Sequence, residues 1–284
     1  MKVLTVATNL QDYHLRNFLI PSCGHLGYEL IILYYASEWS SHRMKDKIIV
    51  SYLETLDPNE IVLFTDAYDT LFLSTSDALL KTFNNFNSSL LFSSEINCWP
   101  EPELCEVYAR IHEKKAFLNS GAYIGRVSHI VNLLKKNPTA PSHILSDIYK
   151  IDPGLVKIYD QKYMWSNQYY WTLLYLSLEN RISLDFDSKM FLALGTALPF
   201  FQKNFKDFRS LGTQSLIYRK ELNRIQDIFS RMQAFSIAHV HFNNPVLKVI
   251  FKNLHKQGTF PQWVKEILSK KDVSFPPPEI IEIG

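Results

Sequence analysis

The segment "IVLFTDAYDTLFL", residues 61–73, places two aspartates directly after a run of apolar residues. Ile61 to Phe64 form an unbroken, β-favouring run, which is typical of a strand buried on both faces of a parallel sheet. Ligands of open α/β sheets bind at the carboxyl ends of such strands. Asp66 and Asp69 follow this strand, and two close carboxylates repel each other unless a cation or a shared proton lies between them. The segment therefore predicts a binding site, although aspartates that only form a turn fit the same pattern.

Composition indicates a globular protein and argues against one class of partner. The chain has 284 residues, of which 46% are hydrophobic and 14% aromatic, so it can bury the core of one large domain or two small ones. The formal net charge is +2, and the basic residues are scattered rather than arranged in a stripe. We therefore expect no nucleic-acid partner.

The cysteines and the amino terminus bear on the cellular compartment. Three cysteines, Cys23, Cys98 and Cys105, form neither a CxxC pair nor a metal-like spacing. The amino terminus turns polar after about eight residues, too early for a secretory apolar segment, and no apolar run is long enough to span a bilayer. The expectation is a cytoplasmic or otherwise reducing compartment, with secretion by a signal-independent route as the alternative.

Strand-like and helix-like segments alternate along the chain, which predicts α/β architecture. The expected strands cover residues 2–8, 28–35, 61–66, 89–95, 116–126 with a break at Gly121, 183–187 and 237–242; the expected helices cover residues 12–27, 45–56, 76–86 and 168–179. The Pro-rich residues 273–284 are expected to run over the surface or to fray.

Two kinds of protein site use paired aspartates at the end of a strand. In aspartyl-nucleophile phosphatases the two carboxylates are two residues apart, whereas in "DAYDT", residues 66–70, they are three apart. The other chemistry is a divalent-cation clamp, in which carboxylates hold Mg²⁺ or Mn²⁺ against a nucleotide diphosphate. The clamp requires further ligands elsewhere in the chain.

A late strand-like segment offers such a ligand. "AHVHFNN", residues 238–244, carries His241 close to Asn243, and Lys248 follows nearby to meet a phosphate. Imidazole is a good ligand for Mn²⁺ but not for Mg²⁺. A histidine on an apolar strand is also a common core residue, so both interpretations of His241 stand at this point.

Several blocks of residues, taken in order, carry a family resemblance. They are "LTVAT", "SEW", "LFTDAYDTLF", "LLFSSEINCWPEPEL", "FLNSGAYIG", "SNQYYWTLLYL", "ISLDFDSKMF" and "HFNNPVLK". The sequence resembles the amino-terminal glycosyltransferase domain of the multifunctional procollagen lysyl hydroxylases. The resemblance implies a GT-A fold, a Rossmann-like, mostly parallel mixed sheet flanked by helices, which binds a UDP-sugar with Mn²⁺.

The resemblance also implies roles for individual residues. Asp66, Asp69 and His241 are expected to coordinate the metal, with Tyr68 and Trp39 on either side of the uracil. The other residues expected around the UDP-sugar are Thr8 and Lys47 near the uracil or ribose, Asn119 and Ser120 at the donor sugar, Gly121 as a close backbone approach, Glu95 and Trp99 as walls of the pocket, and Asn243 and Lys248 near the diphosphate. Asp185 and Asn119 are the candidates for a catalytic role.

The chain departs from the family pattern at two places. "WSNQ" replaces a run of aspartates with Trp165, Ser166 and Asn167, which removes negative charge that would meet a cationic hydroxylysine. Phe242 replaces a glycine beside His241 and is expected to narrow the diphosphate cleft. Residues 1–262 are expected to form the transferase domain, with residues 263–284 as a tail.

The function expected from these observations is transfer of a hexose, glucose or galactose, from a UDP-sugar to a hydroxyl group with retention. The metal is expected to be Mn²⁺, with Mg²⁺ as an alternative. The acceptor is expected to be a protein or a glycan other than collagen hydroxylysine. The alternative functions are a catalytically weak nucleotide-sugar binding protein and an aspartyl-nucleophile phosphatase.

Overall fold

The structure is a computed structural model that describes residues 1–141, 145–146, 161–177, 182–232, 237–269 and 277–283. Within these residues, none of the helices combines the length and the apolar character needed to cross a bilayer.

Ten strands of the described chain form two sheets. The strands are β1 (Lys2–Ala7), β2 (Glu29–Tyr35), β3 (Ile61–Thr65), β4 (Thr70–Phe72), β5 (Leu90–Glu95), β6 (Phe117–Arg126), β7 (Ile182–Asp185), β8 (Phe191–Ala193), β9 (His239–His241) and β10 (Glu279–Ile283). The main sheet has the order β10-β2-β1-β3-β6-β5-β7, and a small sheet has the order β4-β9-β8. In the main sheet only β6 runs antiparallel to its neighbours, so the predicted mostly parallel α/β sheet is confirmed.

Helices flank the main sheet and support the small one. They are α1 (Ile20–His25), α2 (Met44–Leu53), α3 (Ser76–Asn84), α4 (Cys105–Ile111), α5 (Val127–Lys136), α6 (Asn167–Leu176), α7 (Leu198–Leu211), α8 (Leu216–Met232), α9 (Pro245–Lys256) and α10 (Gln262–Leu268). The helix expected over residues 12–27 is present over residues 13–25 and contains a π-helical turn at Leu15–Leu19, which leads into α1.

Strand β1 shows how the main sheet separates two apolar cores. Successive side chains of a strand point to opposite faces, and Leu4 and Val6 join one buried cluster while Val3 and Ala7 join the other. Both faces are apolar because helices cover both, which explains why the strands read as continuous apolar runs. A third cluster lies beneath the small sheet, around Phe242 and Phe251.

Strand β6 is continuous, although a break was predicted at Gly121. Its partner β5 changes register between Phe92 and Ser93, so that Phe92 lies opposite Tyr123 and Ser93 opposite Asn119. The residues between Asn119 and Tyr123 therefore form a β-bulge, which bends the strand without ending it. Gly121 lies within this bulge at the carboxyl end of β3.

The carboxyl-terminal segment is not a tail that frays. Residues 270–276 lie outside the described residues, but α10 packs Val264 and Leu268 into the third cluster. Strand β10 then pairs in parallel with β2 and becomes an edge of the main sheet. Ile281 and Ile283 pack against the first core cluster, so the fold extends beyond the boundary expected at residue 262.

A buried polar contact near α2 leads to a testable prediction. The indole Nε1 of Trp171 donates to Asp46 Oδ1 at 3.0 Å, and both residues are buried. Burial raises the pKa of Asp46 to about 6, against the opposing effects of Arg43 and of this hydrogen bond. Trp171→Phe should lower the free energy of unfolding by roughly 2–4 kcal/mol, because it removes ring volume and a hydrogen bond to a charged group.

The loss of unfolding free energy in Trp171→Phe should be larger at high pH than at low pH. Because the pKa of folded Asp46 lies above that of the unfolded chain, stability is lost as the pH rises through the folded value. Trp171→Phe raises that pKa further, so urea unfolding should show a larger loss at pH 8 than at pH 5. Tyr123→Phe in the same cluster is the control, since the Tyr123 hydroxyl has no hydrogen-bond partner among the described residues. Equal losses at both pH values would contradict this role of the hydrogen bond.

Candidate active site

The turn between β3 and β4 fixes the two aspartates. The backbone N–H of Asp66 donates to the Gly121 carbonyl at 2.9 Å, and Thr70 Oγ1 donates to the Asp66 carbonyl at 2.6 Å. The carbonyl of Asp69 accepts from the Phe242 N–H at 2.8 Å. Backbone bonds therefore hold the turn against both β6 and β9, which leaves the two carboxylates free to interact with other groups.

Strand pairing brings a histidine to these carboxylates. His241 on β9 pairs with Thr70 on β4, directly after the turn. Its Nε2 atom lies 3.5 Å from Asp69 Oδ1 and 3.9 Å from Asp66 Oδ2. Ligand atoms of the three residues all lie within 4.8 Å of one another. The structure thus brings together the three residues that were expected to hold the metal.

Asn119 sets the orientation of the imidazole. Its Nδ2 donates to Glu95 Oε1 at 2.9 Å, so its Oδ1 faces His241 and accepts from Nδ1 at 3.0 Å. The buried Nε2 atom of His241 has no hydrogen-bond partner in the described part of the chain and points towards the carboxylates. A free imidazole nitrogen beside two carboxylates fits a divalent cation that accepts mixed nitrogen and oxygen ligands, and Asn119 is the outer partner that such a ligand needs.

Two lysines neutralise the carboxylates, which therefore do not simply repel each other. Lys45 Nζ lies 2.7 Å from Asp66 Oδ1, and Lys248 Nζ lies 3.1 Å from Asp69 Oδ2. Burial alone would raise the pKa of Asp69, but His241 and Lys248 hold it well below its usual range. Burial alone would lower the pKa of His241, but the nearby carboxylates, Asp69 above all, raise it.

A cavity of about 350 Å³ opens beside these residues. Nine of the residues expected to bind the metal or the UDP-sugar line it: Asp66, Asp69, Glu95, Trp99, Asn119, Ser120, Gly121, His241 and Asn243. The cavity is also lined by residues for which the sequence analysis expected no binding role, among them His42, Lys45, Asn97, Gln168 and Thr196. Its lining is rich in side-chain amides, which donate and accept hydrogen bonds as sugar hydroxyl groups require.

Glu95 organises the amides of this cavity. Its Oε1 accepts from Asn119 and from Gln168 Nε2 at 2.8 Å, and its Oε2 accepts from Asn243 Nδ2 at 3.3 Å. Burial raises the pKa of Glu95 above its usual value, although these hydrogen bonds act in the opposite direction. Gln168 in turn accepts from the Ser120 N–H at 3.3 Å, which ties α6 to the bulge of β6.

A second cleft adjoins the cavity and shares Asp66 and Asp69 with it. Its lining includes Thr8, Trp39, Tyr68 and Lys248 from the expected nucleotide-binding set, together with Lys45. The Tyr68 hydroxyl accepts from the backbone N–H groups of Thr8 and Asn9, both at 2.6 Å. These bonds fix one edge of the ring at the carboxyl end of β1, where the uracil was expected.

Two expected site residues lie outside both spaces. Lys47 is exposed on α2 and lines neither of them, whereas Lys45, two positions earlier, reaches Asp66. Asp185 is fully buried, and its carboxylate accepts backbone N–H groups from Lys189, Met190 and Phe191 at 2.7–2.9 Å. The carboxylate of Asp185 thus stabilises the turn after β7, and the structure does not bring it to the cavity.

Phe242 does not narrow the cleft, contrary to expectation. Its ring is buried and stacks on Phe251 at a centroid distance of 4.0 Å, on the side away from His241. Neighbouring residues of a strand point to opposite faces, so a large side chain after His241 enters the third core.

Gly121 leads to a prediction about the position of His241. A Cβ atom added at Gly121 would overlap His241 Cε1 and would lie 2.6 Å from His241 Nδ1. Gly121→Ala should therefore displace the imidazole and break its hydrogen bond to Asn119. A crystal structure of the variant, or the histidine side-chain NMR signals, would show the displacement.

Gly195→Ala in the same cavity is the matched control. Its added Cβ atom would meet Asn97 Nδ2 at 3.4 Å and Glu95 Oε2 at 3.6 Å, which are ordinary van der Waals contacts. The imidazole should keep its position in this variant. An unmoved His241 in Gly121→Ala would show that the bulge relaxes instead.

Comparison with known proteins identifies the family. Residues 1–143 match the family described as the PLOD GT domain. Procollagen-lysine,2-oxoglutarate 5-dioxygenase of Drosophila melanogaster is 33% identical over 146 residues, which cover 47% of this chain and 20% of that protein. Multifunctional procollagen lysine hydroxylase and glycosyltransferase LH3 of Homo sapiens is 32% identical over 168 residues, which cover 54% of this chain and 22% of that protein. The chain thus spans about a fifth of the length of these relatives.

Among solved structures, a glycosyltransferase involved in the glycosylation of the major capsid of PBCV-1 aligns with 90% of this chain and 98% of its own, at 10% identity and a TM-score of 0.45. The family match and the observed sheet agree with the predicted fold class and leave the aspartyl phosphatase hypothesis without support. The chain belongs to the family of PLOD glycosyltransferase domains, and it has the mostly parallel, mixed α/β sheet that its sequence predicted.

Proposed function

We propose that this protein transfers a hexose, glucose or galactose, from a UDP-sugar to a hydroxyl group, with Mn²⁺ as the metal. The observation that carries the proposal is the cluster of Asp66, Asp69 and His241, in which a buried imidazole nitrogen without a hydrogen-bond partner faces two carboxylates. The cluster lies where an amide-lined cavity meets an aromatic cleft, so one donor molecule can occupy both spaces.

The nucleotide half of the donor belongs in the cleft. Tyr68 and Trp39 offer aromatic faces to the uracil, and Lys45 and Lys248 offer positive charge to the diphosphate. Asp66, Asp69 and His241 would hold the ion, which when bound stabilises negative charge on the departing UDP. Lys45 and Lys248 pair with Asp66 and Asp69 in this structure, and both ammonium groups would be available to phosphate oxygens if the ion took their place at these carboxylates.

The sugar half belongs in the cavity, where Glu95 is the buried carboxylate. Glu95, Asn119 and Asn243 form a connected network whose members are positioned to orient sugar hydroxyl groups. Retention requires either a nucleophile on the face opposite the leaving group or an acceptor hydroxyl that approaches from the leaving-group side. Of Glu95 and Asp185, only Glu95 lines the cavity, so Glu95 replaces Asp185 as the candidate catalytic carboxylate.

The acceptor side has lost the negative charge expected for a cationic acceptor. Trp165, Ser166 and Asn167 line the cavity, and Ser166 forms the N-cap of α6 by accepting the Tyr169 N–H at 3.2 Å. These neutral side chains provide no anionic partner for the ammonium group of a hydroxylysine. This loss supports an acceptor other than collagen hydroxylysine.

Nucleotide-sugar binding without transfer is the second candidate function, and the same neutral residues favour it. The two candidates differ in one measurement. A competent transferase should release UDP from UDP-glucose or UDP-galactose with Mn²⁺ even without an acceptor, since water can accept the sugar slowly. Tight donor binding with no release of UDP would support the binding protein.

The metal ligands give the direct test of the proposal. Asp66→Asn, Asp69→Asn and His241→Ala should each reduce UDP affinity in the presence of Mn²⁺ to its metal-free level, because each removes a ligand from the ion. Calorimetric titration with UDP, with and without Mn²⁺, measures the effect, and thermal unfolding shows whether the variants fold.

Lys47→Met is the control for charge, since Lys47 is exposed and lines neither space. It should bind UDP as the unaltered protein does, whereas Lys45→Met should bind it more weakly. Unchanged Mn²⁺-dependent affinity in folded Asp66→Asn and Asp69→Asn would show that these carboxylates only form the turn.

Tyr68 should affect the nucleotide without affecting the metal requirement. Tyr68→Ala should weaken UDP binding by about 1–3 kcal/mol through the loss of base stacking. Tyr68→Phe should keep most of the affinity, since the ring remains and the variant loses only the bonds of the hydroxyl to the backbone of Thr8 and Asn9 and to Thr8 Oγ1. Calorimetry at saturating Mn²⁺ separates the two variants, and equal losses would assign the effect to those backbone bonds rather than to stacking.

A further inference from the structure

Helix α7 leaves its aromatic residues incompletely covered. The helix contains Phe200, Phe201, Phe205 and Phe208, yet Asn204 is its only buried residue. Amphipathic helices ordinarily bury their apolar stripe against the core and expose their polar residues. Here the apolar stripe touches the third core cluster along one side and stays half-exposed.

Three of these rings form a ladder. Phe201 and Phe205 stack at a centroid distance of 4.6 Å with an interplanar angle of 24°, and Phe205 and Phe208 lie 6.1 Å apart at 23°. Spacings of four and three residues place the rings on one side of the helix. Two rings of the ladder, Phe201 and Phe205, line a surface groove together with Lys206, Arg209 and polar neighbours.

The groove continues from the cavity of the candidate active site. Phe201 lines both spaces, and Leu198 at the start of α7 lines the cavity. Trp99 and Trp165, both more than two-fifths exposed, line the same cavity. A chain-like molecule whose end lies in the cavity can therefore extend along α7 over successive aromatic rings.

We propose that Phe201 and Phe205, the two rings of the ladder that line the groove, bind the acceptor, and that the acceptor is an oligosaccharide carrying acidic groups. The proposal rests on the transferase function proposed above and names its acceptor class. Sugar rings have flat apolar faces that stack on aromatic rings, and polar edges that hydrogen-bond to amides and to arginine.

The charge of the groove selects among acceptors. Lys206 and Arg209 flank the ladder, and neither forms an ion pair within the described part of the chain. The described groove lining contains no carboxylate, so a lysine-rich peptide finds no partner there. Two cations beside stacked rings match the uronic acid groups of an acidic glycan.

The test uses the 284-residue chain with saturating UDP and Mn²⁺ and two probes. One probe is a tetrasaccharide that contains uronic acid, and the other is cellotetraose, which is neutral. In titrations followed by ligand NMR, the acidic probe should bind more tightly than cellotetraose. Phe205→Ala should weaken binding of both probes roughly five-fold, through the loss of a stacking face. Phe205→Trp should restore the affinity for both probes. Arg209→Gln should reduce only the preference for the acidic probe over cellotetraose.

Two controls separate this proposal from the transferase function. UDP affinity should be unchanged in Phe205→Ala, because Phe205 lines neither the cavity nor the nucleotide cleft. Phe86→Ala, at a partly buried ring packed against a different core cluster, should leave binding of both probes unchanged. Failure of the unaltered protein to bind UDP would overturn the transferase function.

The acceptor proposal is overturned by three results. The first is intact UDP binding with no binding of either tetrasaccharide. The second is binding of both probes that Phe205→Ala does not weaken. The third is equal affinity for the acidic and neutral probes, which would remove the charge selection by Lys206 and Arg209.

Discussion

The turn of residues 66–70 is the constraint on which the site depends, because it joins the main sheet to the small sheet. Strand β3 enters it, β4 leaves it, and backbone bonds to Gly121 and Phe242 hold it on both sides. The backbone of the turn therefore cannot move without disturbing the pairing of the two sheets. The carboxylates of Asp66 and Asp69 gain a fixed position in this way, which a metal site requires.

A buried polar network extends this constraint to the imidazole. Glu95 fixes the amide of Asn119, and Asn119 fixes the ring of His241. Buried polar groups are costly unless they are hydrogen-bonded, so each member limits the orientations open to the next. The bulge of β6 completes the arrangement, because only a glycine at position 121 leaves room for the imidazole.

The proposed donor and acceptor sides of the site match the pattern expected from the family to different degrees. On the proposed donor side the expected metal ligands and aromatic residues all meet around one cavity and one cleft. On the proposed acceptor side the expected acidic run is replaced by Trp165, Ser166 and Asn167, and α7 adds half-exposed aromatic rings. Metal and diphosphate impose the same geometry on any UDP-sugar enzyme, whereas an acceptor constrains only the residues that it touches.

The sequence by itself determined the α/β class, most strands of the main sheet and the position of Asp66 and Asp69 at a strand end, because these follow from local apolar patterns. The family resemblance added His241 as an expected metal ligand, a role that the local sequence pattern alone left undecided. Only the tertiary structure selected Lys45 over Lys47, since the packing of α2 decides which of two lysines points inward. The tertiary structure also decided that the carboxylate of Asp185 bonds to backbone amides and that the ring of Phe242 packs in the core. It likewise decided that β10 pairs with β2 at the edge of the main sheet. These outcomes depend on contacts between residues far apart in the chain, which no local pattern records.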